Sequence, residues 1–114
     1  MKELSEFLDG KSETTVGLFW HFIAACEEIA KVKVEPTKTM IAIRGKNKPL
    51  YVTRLGKNFV DVTFIYDQPY NDNLCFVKIA QVPGTNQYNH HFRMMAKEDV
   101  NKEVKKFMKL AISH

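Results

Sequence analysis

The chain of 114 residues is poor in cysteine, glycine and long apolar runs, and each scarcity removes a class of protein. Its two cysteines, Cys26 and Cys75, are too few for a disulfide framework. Each lies in an apolar stretch, where a thiol behaves as a small buried hydrophobe. The five glycines stand at 10, 17, 45, 56 and 84 and never gather into a phosphate-cradling loop, so neither a Walker nor a dinucleotide fingerprint is present. A Gly-x-Ser-x-Gly nucleophile elbow is also missing. No apolar run approaches the roughly 18 residues of a transmembrane helix. The opening Met1-Lys2-Glu3-Leu4-Ser5-Glu6 lacks a basic segment leading into an apolar one, so no signal peptide is expected. A cytoplasmic location without membrane association is the corresponding expectation.

What is present is ordinary for a globular domain: 45% hydrophobic and 26% charged residues. The length predicts a single domain, 1–114, that buries about two-thirds of its unfolded surface. The net charge of +4 is unevenly spread. Residues 1–30 hold two basic and six acidic side chains, a balance of −4. Residues 31–58 hold eight basic side chains against Glu35 alone, a balance of +7, and residues 59–114 come out at +1. A basic stretch attracts polyanions through its field. It also suits solvated strand edges, where lysine blunts unwanted pairing, or ion pairing with the acidic N-terminal region.

Hydrophobic periodicity predicts a main helix over residues 12–30 with Ser12 as N-cap and Val16, Phe19, Trp20, Ile23 and Ala30 on its buried stripe, after a short turn at 4–8. The period then changes to two. Strands are predicted at 39–44, 50–55, 59–66, 74–82 and 90–95, with 32–35 as a candidate edge strand. Residues 97–112 predict a closing helix with Glu98 and Asp99 in its first turn. Short turns between successive strands favour antiparallel pairing. The expected fold class is α+β: an antiparallel sheet of about five strands with an N-terminal and a C-terminal helix packed on one face.

His90-His91 is the most conspicuous pair. Adjacent strand residues face opposite sides. If Phe92 and Met94 face the core, His90 joins them as a backbone-bonded core imidazole, while His91 and Arg93 share the other face. The pair cannot chelate one metal from a regular strand, and no ligand spacing links it to a cysteine. No metal or other cofactor is expected, and no catalytic residue stands out. Asp61 points away from Val60 and Val62 by the same alternation, toward solvent or a basic neighbour. Lys38, Met40, Ala42 and Arg44 share the face opposite Ile41 and Ile43. The expected ligand-binding set is therefore Lys38, Arg44, His91 and Arg93 on the sheet's open face, beside aromatics such as Tyr51 or Tyr66. Cations between aromatics suit phosphate contact with base stacking.

Three pieces resemble a known family. They are Glu6-Phe7-Leu8-Asp9-Gly10-Lys11, the segment Thr37-Lys38-Thr39-Met40-Ile41-Ala42-Ile43-Arg44, and the end from His90-His91-Phe92 through Asp99-Val100 to Glu103-Val104. Together they are similar to the bacterial family catalogued as domain of unknown function 5655. Departures are Leu50 in place of a phenylalanine, Ala111-Ile112 in place of Ala-Tyr, and Ala96 where a Ser or Thr would cap the closing helix. The resemblance implies an accessory domain, in some members beside nuclease-like domains and in some carrying a loose transport label. It implies no reaction.

The function expected from these features is a small non-enzymatic binding or interaction module. Its basic sheet face would take an anionic ligand, nucleic acid among the candidates. One alternative is a self-associating accessory protein, for example a homodimer. Another is a metal-dependent hydrolase or nuclease-like enzyme built on Asp61 and His91.

Overall fold

A computed structural model describes residues 3–113. A short helix α1 (Leu4–Leu8) leads into α2 (Glu13–Ile29), followed by β1 (Lys33–Pro36), β2 (Ile41–Arg44), β3 (Leu50–Gly56), β4 (Phe59–Tyr66), β5 (Lys78–Gln81) and β6 (Tyr88–Met94). A 3-10 turn at Lys97–Asp99 precedes the last helix, α3 (Lys102–Ile112). The strands form one antiparallel sheet of six, one more than expected, because the candidate edge segment pairs as β1. The strand order is β1-β2-β3-β4-β6-β5.

One face of the sheet carries Ile41, Ile43, Leu50, Val52, Val60, Val62, Phe64, Phe92 and Met94, all buried. Helices α2 and α3 cover that face with Phe19, Phe22, Cys26, Phe107 and Met108. This is the result of period-two and period-3.6 patterns meeting across one interface. Burial pushes the Cys26 thiol up to about 12, helped by Glu27, so it packs as an inert apolar group. Trp20 departs from the expected stripe. It lies outside the arc centred on Phe19 and Phe22, is 46% exposed, and rests edge-on against Phe19 at 5.0 Å.

Two boundaries differ for tertiary reasons. The fourth predicted strand shrinks to Lys78–Gln81, because β4 and β5 are not neighbours and the chain must pass over β6 between them. The connecting residues 67–77 therefore lie on the helix side. Tyr70 and Phe76 pack on Phe107 there, at 5.1 and 4.9 Å between ring centroids. The closing helix begins at Lys102, not at 97. Asp99 folds back to accept the amides of Met95 (2.7 Å) and Ala96 (2.9 Å), and the Asn101 side chain caps α3 by accepting the Val104 amide at 3.0 Å. Ala96 thus needs no capping side chain.

Two long-range ties position the helices. The buried Thr15 hydroxyl donates to the Gly56 carbonyl (2.7 Å) and accepts the Asn58 amide (2.9 Å), which clamps the start of α2 to the β3–β4 turn. At the other end, the β2–β3 turn caps α3 from outside. The Lys46 and Lys48 amides donate to the carbonyls of Ile112 (3.0 Å) and Ala111 (2.8 Å), and the Asn47 amide reaches Leu110 at 3.4 Å. Ser113 takes the Lys109 carbonyl. All four carbonyls that a helix C-terminus leaves open are thereby satisfied. Lys46 and Lys48 also bring positive charge to the negative end of the helix dipole.

Candidate functional site

The face opposite the helices is uncovered, and the expected residues can be placed on it. Cross-strand register sets Tyr51, Thr63, His91 and Lys78 in one transverse row, with Asp61 and Arg93 in the next. Arg93 forks onto Asp61 through Nε (2.8 Å) and Nη2 (3.0 Å), and its guanidinium lies over the Phe59 ring at 4.1 Å. That bidentate bond holds Arg93 above its usual pKa. The Thr63 hydroxyl and His91 Nδ1 are 3.2 Å apart. Burial pushes the His91 pKa below its ordinary value and Lys78 adds to this, against the opposing pull of Asp61. His91, Arg93, Lys78 and Asp61 line a shallow hollow of about 260 Å³.

Lys38 and Arg44 do not join them. Arg44 lies on β2, three strand spacings from β6, about 14 Å across the sheet. It pairs with Glu35 at 3.4 Å, an exposed contact worth less than about 1 kcal/mol. Lys38 is exposed in the bend between β1 and β2. Tyr66 faces inward, its hydroxyl donating to the Phe107 carbonyl, while Tyr51 stays on the open face. The predicted set is thus split, and Arg44 and Arg93 are each held by a carboxylate.

His90 is fully buried on the core side, as the alternation requires. Its Nε2 accepts the Tyr70 amide at 3.1 Å, so its Nδ1 donates to the Tyr88 carbonyl at 3.0 Å. Tyr66, Tyr70 and Phe76 surround the ring at 5.0–5.6 Å. Burial is the main cause that lowers its pKa, and His91 adds to it, against the hydrogen bonding to the backbone of Tyr88 and Phe64. This is a structural imidazole that latches the 67–77 crossover to β6. Among the described residues no group of three or more His, Cys, Asp or Glu side chains is placed to hold a metal ion.

A second concavity lies at the end of the sheet, between the α1–α2 connection and β3. It is an open hollow of about 750 Å³, and its cations are Lys11, Arg54 and Lys57, with the hydroxyls of Ser12, Thr39 and Thr53 around them. No carboxylate lines it. None of the three cations forms an ion pair among the described residues. Arg54 reaches this place through a break in the strand. From Leu50 and Val52, strict alternation would turn Arg54 into the core. A register shift between Val52 and Arg54 instead leaves Thr53 and Arg54 both exposed and turns Leu55 inward. Sequence reasoning missed this group. The available signal was an arginine at an inward position next to a leucine at an outward one, which marks a bulge.

Residues 4–112 match the family described as Domain of unknown function (DUF5655). The chain belongs to that family. No curated protein and no solved structure matches it. Two of the segments that carry the DUF5655 resemblance meet at the second concavity: Lys11 and Gly10 from the first, and Thr39 from the second. No helix among the described residues is long and apolar enough to cross a membrane.

Proposed function

We propose that this member of the DUF5655 family is a non-enzymatic binding module for an anionic ligand, and that the ligand sits in the cleft of Lys11, Arg54 and Lys57 rather than on the open sheet face. One observation carries the reading: three cations with no ion-pair partner among the described residues gather at one end of a groove whose lining carboxylates, Glu6 and Asp9, stand at its other end. A field of one sign focused in a concave wall raises the local concentration of counter-charge. The Thr39 hydroxyl adds a donor for anion oxygens. The open face supports the reading less well, because Asp61 and Glu35 already offset Arg93 and Arg44.

Titration of isotope-labelled protein with inorganic phosphate tests this by amide chemical shifts. Shifts are expected at residues 10–12, 39 and 54–57, and Arg54→Gln should weaken binding at least fivefold. Absence of any shift at tens of millimolar phosphate, or shifts centred on His91 instead, overturns the cleft assignment. For single-stranded nucleic acid, three cations predict a log–log salt slope no steeper than about −2, at roughly 0.7 per phosphate.

A homodimer is a second reading, favoured by Leu74, Val77 and Met95, which are 96%, 70% and 63% exposed around one hollow of about 400 Å³. Sedimentation at micromolar concentration should then show a dimer that Val77→Lys disperses. A strict monomer ends this reading.

A further inference from the structure

We infer that the ligand is a small phosphate monoester whose far end carries hydroxyl or amino groups, as a sugar phosphate or nucleoside monophosphate does, and not a polynucleotide. The inference rests on the anion-binding reading above and adds the chemistry of the whole ligand. Its ground is a second, narrower hollow of about 130 Å³ that continues the cleft. The two share Phe7, Lys11, Thr39, Thr53, Arg54 and Leu55, so they form one groove. The shared part is cationic, and the ends differ. Lys57 lines only the wide end, whereas Glu6 and Asp9 line only the narrow one.

The groove is therefore polarised along its length. A phosphate fits the wide end, where Lys57 and Arg54 supply charge and N–H donors. Carboxylates accept hydrogen bonds and donate none when ionised. Glu6 and Asp9 consequently favour N–H or O–H groups at the narrow end and repel a second phosphate there. A polynucleotide carries a phosphate on each side of every nucleoside and would place one against them. A monoester with a donor-bearing tail satisfies both ends, with Leu55 beside its middle. Asp9 closes α1 with its backbone amide, leaving its carboxylate with no hydrogen bond or ion pair among the described residues. Its substitution by asparagine removes the charge and leaves that backbone bond in place.

Calorimetric titration of the full chain with inorganic phosphate, adenosine monophosphate, a hexose 6-phosphate and a thymidine tetranucleotide decides the matter, with Asp9→Asn alongside. At least one monoester is expected to bind tenfold or more tightly than inorganic phosphate. Asp9→Asn should cut that margin at least threefold while phosphate itself binds equally well or better. Monoesters no tighter than phosphate, a tetranucleotide that binds tightest, or a margin untouched by Asp9→Asn would each overturn the inference while leaving the anion site standing. Silence from all four probes overturns the anion-binding reading together with it.

Discussion

Gly45→Ala is expected to destabilise the protein by about 3 kcal/mol, the upper part of the range for forced overpacking. A Cβ at this position would stand 2.3 Å from the Ile112 carbonyl oxygen and 2.8 Å from the Ile112 Cα. Those are backbone atoms at the end of α3, so no side-chain rotation relieves the clash. Either the turn or the helix must move, and the bonds from Lys46 and Lys48 to Ile112 and Ala111 are lost with the movement. Buried carbonyls left without partners add to the cost. Gly17→Ala is the matched control. That glycine lies inside α2, with nothing within 4 Å of a built Cβ, and alanine there should stabilise by about 0.5–1 kcal/mol. Urea unfolding of the two variants should move the midpoint in opposite directions. Equal midpoints for Gly45→Ala and the parent would show that the turn does not cap α3.

The second large effect concerns acid. His90 is neutral in the fold, its Nε2 occupied as an acceptor and its pKa held below 6.5 mainly by burial. Above pH 6.5 both folded and unfolded chains carry it neutral, and the stability is fully present. As pH falls below 6.5 the unfolded chain takes up a proton that the folded chain refuses, so stability falls until the lowered folded pKa is reached. The ceiling is about 1.4 kcal/mol per pH unit for one such group. As pH falls below 6.5 the parent should lose more stability than His90→Gln, with a slope no steeper than that ceiling. His91 shifts in the same direction but is present in both proteins, so the difference reports His90. The variant should also be less stable at pH 7, because the Tyr70 amide and Tyr88 carbonyl lose well-placed partners, at about 1–3 kcal/mol. Hydrogen exchange at Tyr70 and Phe76 should then accelerate first, since His90 is what latches their segment to β6. Parallel stability–pH curves for parent and variant would refute the neutral, buried imidazole.

The basic segment takes on a different meaning once its residues are located. Lys46 and Lys48 serve the end of α3, and Lys33 and Arg44 flank Glu35 at 3.9 and 3.4 Å. Among the described residues Lys31, Lys38, Arg54 and Lys57 keep no such partner, and of these Arg54 and Lys57 line the cleft with Lys11 from the acidic N-terminal region. A segment total of +7 therefore does not by itself locate the charge that faces a partner.

Local pattern alone determined the fold class, the inward faces of the strands, the pairing of Ser12 with the start of α2, and the opposite orientations of His90 and His91. Each follows from side-chain periods of two or 3.6, which a few consecutive residues declare. Tertiary structure alone decided the rest. The position of β6 between β4 and β5 depends on a crossover that Tyr70, Phe76 and His90 hold in place. The late start of α3 depends on Asp99 turning back to Met95 and Ala96, and the exposure of Trp20 on which arc of α2 meets the sheet. Arg54 reaches the cleft only because β3 shifts register against β4. Contacts between residues tens of positions apart leave no period in the chain, so the cleft where they meet had no sequence signature beyond one arginine on the wrong side of a strand.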